Sequence, residues 1–523
     1  MFLLTTAALV PLIGAVLVFF LRGGGARIVA LLASLVSLVI AIYIAMGFEP
    51  GAGMQFTEQV QWIPPLGAYY ALGVDGIGLS MVLLTTILTP LVILYSGTQV
   101  YDSKRFAEHT YLALVLAVEG LSLYVFTATD VLLFYLFFEA TLIPMFFLIG
   151  GFGGESRRYA AIKFLLYMLA SGLIMLAAVI GVYGVSNTDG NGTFLLEDLQ
   201  AFAVDSAAAK WLFWGFMIAF IVKAPMVPFH TWLPDAAENT TPGAAVMMVS
   251  VMDKIGTFGM LRFALVLFPE ASRWATPVLI FLAVVSIIWG ALAAIAQDNL
   301  MRLVAYTSVS HFGFIVLGIF AMNNTSVASA ALYMFNHGIS TAALFLVVGF
   351  LIKRRGTADI AAFGGVQRVA PLLAGFLLIS GLSALSLPGL APFVSEFGVI
   401  AGAWQNHKWA AGISAIAMVL AATYVMRMYK LVATNEPREE VRAEVHELSQ
   451  GERWVIAPII ALLFLFGLYP APLTNLINPD AENLVTFMDQ VAPVQTAPAS
   501  LAADGEGATA WNADALLKGG EQL

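Results

Sequence analysis

Apolar residues in this chain come in long blocks, separated by short polar stretches that hold most of the charge. A helix crossing a bilayer needs about 20 consecutive, mainly apolar residues. Fourteen runs meet that need, at 2–21, 27–47, 77–97, 110–128, 130–150, 157–185, 210–230, 241–265, 274–296, 300–321, 325–352, 370–403, 409–431 and 454–475. Two of them are interrupted. The seventh carries Pro225 and Pro228 beside Lys223, and the long twelfth carries Pro388, Gly389 and Pro392 ahead of Glu396. Proline removes a helical hydrogen bond, and the freed backbone is tolerated at membrane depth only where protein or a wet cavity covers it. The pattern predicts an all-α polytopic membrane protein of about 14 transmembrane helices, with helices 7 and 12 broken. Met1 to Leu21 lacks a basic leading region and a small-residue cleavage site, so the first helix is expected to remain in the mature protein.

Composition agrees with lipid as the solvent. Of 523 residues, 60% are hydrophobic and 11% charged, where soluble domains carry about 25% charged residues. The net charge of −9 arises mostly from acids in loops and in the C-terminal tail, and no basic footprint points to a nucleic-acid partner. The chain has no cysteine, which excludes disulfides, thiolate metal sites and iron–sulfur ligands of its own. With the N-terminus outside, the inner loops hold 16 of the 24 lysines and arginines and the outer side 5. The cytoplasmic side normally holds the excess, so both termini are expected on the outer face. Residues 485–523, rich in Ala, Gly and Asp, read as a poorly ordered external extension.

A weak internal repeat is visible. Leu166-Tyr167-Met168 followed by Gly172 recurs as Leu332-Tyr333-Met334 followed by Gly338, and Pro228-Phe229 recurs as Pro392-Phe393. The offsets, 166 and 164 residues, each span five helices. Five is odd, so the second copy crosses the membrane in the opposite sense, the inverted repeat of many transporters, whose working helices are broken near the midplane.

Ionisable residues fall singly on successive runs: Glu119, Glu139, Lys163, Lys223, Asp253 with Lys254, His311, His337 and Glu396. Each costs about 2.5–3.5 kcal/mol at a helix centre and needs a partner, water or a task. Their spread suits a lateral chain of proton-carrying groups better than a compact metal site. An ammonium taken out of water gives up its proton more readily, and a nearby carboxylate holds it there. At about 10 Å and an effective dielectric of about 20 one carboxylate contributes roughly 1.7 kcal/mol, so Glu139 can load or unload Lys223. Structural readings stand beside these. Lys163 can snorkel or form an ion pair. Asp253 and Lys254 point about 100° apart on a helix and need not pair. His230 suits an interfacial or buried hydrogen bond, and His311 and His337 taken alone suit satisfied core histidines or, less well, haem ligands.

The stretches around these residues resemble the antiporter-like subunits of respiratory complex I and the related Mrp sodium/proton antiporters. Phe137-Phe138-Glu139 through Pro144 resembles the family's fifth-helix glutamate motif, and Lys223-Ala-Pro225 through Leu233-Pro234-Asp235 its broken seventh helix. Asp253-Lys254-Ile-Gly256, Ser308-Val-Ser310-His311 and Phe335-Asn336-His337 are similar to its eighth-, tenth- and eleventh-helix motifs. Pro392-Phe393-Val394-Ser395-Glu396 places glutamate where the L and N types and the Mrp relatives usually have lysine, which resembles the M (ND4) type. Two positions depart from the pattern: Asn299-Leu300-Met301-Arg302 stands where Asp-Leu-Lys-Arg is common, and Ala237 stands where a histidine is common.

The resemblance implies a proton-translocating subunit without cofactors of its own, driven by NADH oxidation and quinone reduction in neighbours that hold FMN, iron–sulfur clusters and quinone. It implies L- and N-type subunits as partners and the bacterial inner membrane as location. Glu139, Lys223, Lys254, His311, His337 and Glu396 would carry the proton. Helices 1–3 with their loops (1–109), two inverted repeats (110–265 and 274–431), an inner loop with helix 14 (432–484) and the tail form the expected divisions. An Mrp-type antiporter subunit, or a structural anchor of a hydrogenase-type complex, would be the alternatives.

Overall fold

The computed structural model describes residues 2–98, 107–187, 190–200 and 206–493. The loop cations Lys104 and Arg105, and the tail from 494 on with Lys518, lie outside the described residues. The rest is a helical bundle with one short hairpin. The spans are α1 (Leu3–Phe20), α2 (Gly24–Met46), α3 (Gly76–Ser96), α4 (Glu108–Thr127), α5 (Val131–Phe152) and α6 (Arg157–Ser186). The chain continues through the interrupted pair α7 (Ser206–Lys223) and α8 (Trp232–Glu238), then α9 (Pro242–Leu267), α10 (Pro269–Ile295), α11 (Leu300–Phe320) and α12 (Asn324–Arg355). A second interrupted pair follows, α13 (Pro371–Ala384) and α14 (Ala391–Asn406), before α15 (Lys408–Ala433) and α16 (Gln450–Leu468). Among the described residues, twelve spans are long and apolar enough to cross a membrane. The two remaining runs of the sequence are the proline-interrupted ones, each present as a pair of shorter helices.

Helix starts are set by side-chain caps that satisfy otherwise orphaned backbone donors. Asp75 accepts from Gly78 N at 2.7 Å to begin α3, and Asp130 accepts from Leu133 N at 2.9 Å to begin α5. Asn299 accepts from Met301 N and Arg302 N to begin α11. A departure from the family pattern thus retains a good cap. Asn323 and Ser449 head capping boxes on α12 and α16.

Spans α9, α11 and α12 are buried nearly throughout, whereas α1 and α2 turn most of their surface outward. Polar and charged residues therefore sit on the central helices, where neighbouring protein replaces lipid. At the end of α12, Lys353 and Arg354 both pair with Glu452, whose side chain is buried in the first turn of α16.

Both breaks are local in cause. Pro225 has no amide hydrogen, and α7 stops two residues before it. Trp232 Nε1 then reaches back to the freed carbonyl of Val222 at 3.0 Å. Between α13 and α14, Ser386 and Gly389 take left-handed conformations with φ of 58° and 95°. Gly467 of α16 leaves the space through which the Gly389–Leu390 backbone passes.

Four features go beyond the hydropathy pattern. Strands β1 (Gln55–Ile63) and β2 (Ala68–Val74) form an antiparallel hairpin between α2 and α3. Span α9 is π-helical over Val246–Met252 and Met260–Ala264. The last apolar run ends at Leu468, short of 475. After it α17 (Ala471–Val491) continues past residue 485 as ordered helix, where the sequence suggests a loose tail. Its Asp480 Oδ2 accepts from Gly76 N at 2.7 Å, pinning α17 to the start of α3. Burial, with Asp75 nearby, pushes the Asp480 carboxyl up to about 6.

Candidate functional site

The site is a line of buried groups that begins on α5. Glu139 lies near the end of the first helical segment of α5 (Val131–Ala140), and among the described residues its Oε1 has no hydrogen-bond partner. Its carboxyl packs against the bare backbone of Gly172 on α6, within electrostatic reach of Lys223. Lys223 closes α7 and is fully buried. Its Nζ donates to the Phe138 carbonyl at 3.0 Å and to Thr141 Oγ1 at 3.2 Å, and sits 3.7 Å from the centre of the Phe138 ring. Among the described residues no carboxylate forms an ion pair with it. The ammonium is held by a carbonyl, a hydroxyl and an aromatic face, all weaker than a direct ion pair.

The centre of the line is Lys254 on α9. The π-helical turn upstream leaves the Val249 carbonyl free of its usual partner, and Lys254 Nζ donates to it at 3.0 Å. The same nitrogen lies 2.6 Å from His337 Nδ1 on α12 and 4.4 Å from the centre of the Phe312 ring. With Nδ1 accepting from the lysine, Nε2 carries the hydrogen toward Thr341 Oγ1, 3.0 Å away. The His311 ring on α11 stands 5.1 Å from that of His337.

From His311 the line passes Tyr333, whose ring centre is 5.9 Å away, to Glu396 on α14. Tyr333 donates to Glu396 Oε2 at 2.5 Å, and Ser386, in the break before α14, donates to the same oxygen at 2.6 Å. Asn336 holds the start of α14 by donating to the Ala391 carbonyl at 2.8 Å and to Ser395 Oγ at 3.3 Å.

Five of the six sequence-singled residues are thus buried and Glu139 is half-buried, and contacts join Lys254 to His337 and, through Tyr333, His311 to Glu396. No direct contact joins Glu139 to Lys223, or Lys223 to Lys254. Tyr333 and Ser386 were not singled out in the sequence. Tyr333 belongs to the Leu-Tyr-Met repeat, which was the available signal. Lys163 forms the ion pair anticipated for it, with Asp235 at 2.7 Å, and Arg302 joins that aspartate to Glu238. His230 Nε2 accepts from Trp289 Nε1 at 3.2 Å, and the residue is buried. Among the described residues no group of three or more His, Asp or Glu is placed to hold a metal ion.

This fold and site define a class, the antiporter-like proton channel subunits. Residues 128–423, more than half of the chain, match the family "NADH:quinone oxidoreductase/Mrp antiporter, TM". NADH-quinone oxidoreductase subunit M of Mycobacterium tuberculosis is 47% identical, over 96% of this chain and 97% of its own length. A chain of respiratory complex I from Thermus thermophilus superposes with a TM-score of 0.85 at 31% identity, covering 93% of this chain and 99% of that one. A chain of the Mrp complex from Dietzia superposes with a TM-score of 0.82 at 21% identity, covering 94% and 100%, a likeness of fold alone. The chain belongs to the subunit M family of NADH-quinone oxidoreductase. It is a proton-translocating membrane-arm subunit of that complex.

Proposed function

We propose that protons are moved along the buried line Glu139, Lys223, Lys254, His337, His311 and Glu396, with charge at one end setting the load at the next. Glu139 tunes Lys223 across a gap that no hydrogen bond fills, so moving or neutralising either group changes the other by Coulomb energy alone. Lys254 holds the proton at the centre, His337 and His311 relay it, and Glu396 receives it beside Tyr333. Helix breaks at Lys223 and ahead of Glu396 supply free backbone groups that can hold water at each end. The single observation that supports this most is the Lys254–His337 contact, which joins the two inverted repeats through a pair of titratable nitrogens.

The driving force lies elsewhere in the assembly. FMN, iron–sulfur clusters and quinone belong to partner subunits, and L- and N-type antiporter-like subunits are the lateral neighbours in this reading. The chain works in the bacterial cell membrane with both termini on the outer side, and its repeats divide at 110–265 and 274–431.

Purification of the native membrane assembly through a tag on this chain tests the reading. Co-purifying flavin, iron–sulfur signals and inhibitor-sensitive NADH:quinone activity are expected. A cluster-free assembly of small membrane proteins showing sodium-dependent proton exchange would move the function to an Mrp-type antiporter, and a hydrogenase activity would make the chain an anchor.

A further inference from the structure

One group in the middle of the site has no part in the line just described. Asp253 is fully buried, and among the described residues neither of its carboxylate oxygens has a hydrogen-bond partner. Three residues earlier Ser250 is also buried with its hydroxyl unpartnered. A buried carboxyl left unpaired is costly, so its presence needs a reason. A structural reason would show as an ion pair, a cap or a hydrogen-bond network, and none is present at this carboxyl among the described residues.

Its direction supplies the reason. Gly256, three residues on and therefore on the same face of α9, lies against the end of α7. A β-carbon there would stand 2.7 Å from the Phe220 carbonyl and 2.8 Å from the Ala224 nitrogen, the residues on either side of the last α7 turn that carries Lys223. Asp253 thus lies on the α7 side of α9, and its carboxyl is within electrostatic reach of both Lys254 and Lys223. Lys254, about 100° further round the helix, turns instead to His337 on α12. The break in the line between the two lysines is where Asp253 sits.

Resting on the proton-line reading above, we propose that Asp253 is the proton-carrying group between Lys223 and Lys254. The Lys223 ammonium gives its proton to the Asp253 carboxylate, directly or through water held beside Ser250, leaving a neutral amine and a carboxylic acid. The acid then protonates the neutral amine of Lys254 and returns to carboxylate. No proton or charge is created, and the transfer moves one positive charge from the first broken helix to the centre.

The test compares Asp253→Asn, Asp253→Glu and Lys223→Ala in the assembled complex, reading NADH:quinone turnover and proton pumping in proteoliposomes. The proposal expects Asp253→Asn to lose about tenfold or more in both, with Asp253→Glu recovering most of the loss. Asp253→Leu suits the apolar surroundings and gives the same reading if the asparagine variant does not assemble. Turnover and pumping within about twofold of the unsubstituted complex in these neutral variants, with Lys223→Ala inactive, overturns the role of Asp253 and leaves the line standing. Full activity in Lys223→Ala as well overturns the line itself.

Discussion

Gly172 and Glu139 share one space: a β-carbon on residue 172 of α6 would overlap Oε1 of the Glu139 carboxyl on α5. The glycine of the repeated Leu-Tyr-Met…Gly pattern is therefore a seat for the first acid of the line. The other copy of the motif, Gly338, leaves room for Leu84 and for the Ser250 carbonyl instead. The repeat keeps the small residue while its neighbour differs.

Gly172→Ala consequently displaces Glu139 without altering any titratable group. Turnover coupled to pumping is expected to fall by about tenfold or more, since a misplacement of about 1 Å at a reacting group can cost that much. NADH:quinone assays on purified, assembled complex check this. Unchanged activity would mean that the position of Glu139 is not critical.

At the centre, Lys254→Ala is expected to abolish coupled turnover, because it removes the titratable nitrogen that lies 2.6 Å from His337 Nδ1. Thr341→Val keeps the shape beside His337 but loses the Nε2 contact. One neutral hydrogen bond contributes about 1 kcal/mol, so turnover should drop by about fivefold rather than vanish. Parallel assays of both variants in the same membrane preparation give the comparison.

The Glu396 carboxyl is held by two hydroxyl donors on one oxygen. Tyr333→Phe removes one and leaves Ser386, so a partial loss of a few-fold is expected. Adding Ser386→Ala should deepen it beyond the sum of the single effects, because the last donor is then gone. Initial rates for the two single variants and the double variant decide the point.

Much of this was legible in the sequence because lipid imposes simple demands. The fourteen runs, the two proline breaks and the buried Lys, Glu and His residues all follow from the cost of polar groups in hydrocarbon. What was not legible depends on shape. The π-turns that free the Val249 carbonyl for Lys254 leave no hydropathy signal, since helix register is set by packing. The hairpin has a signal, with Phe56, Val60 and Trp62 alternating with polar residues before Pro64 and Pro65, but a search for 20-residue runs passes over it. Likewise Leu473, Ile477, Ala481, Val485 and Met488 mark one face of α17, although its polar face keeps it from reading as a span.

The Asp480 contact carries a pH dependence. Its carboxyl, ordinarily near 3.8, is pushed up to about 6 by burial, so the docked helix binds the proton more tightly than the undocked one. Docking is fully stabilised below about pH 4, weakens as pH rises through about 6 and is level above that. Hydrogen exchange of residues 471–491, corrected for intrinsic rates, should show less protection at about pH 8 than at about pH 5. Asp480→Asn should remove the difference, and equal protection in the unsubstituted chain would contradict the assignment.

The most direct measurement is proton pumping and NADH:quinone turnover in proteoliposomes by a fully assembled complex in which Lys223, held by the Phe138 carbonyl, Thr141 and the Phe138 ring, is replaced by alanine. A proton line through Lys223 predicts that assembly persists while coupled turnover and pumping are lost. Normal pumping by assembled Lys223→Ala complex would contradict it.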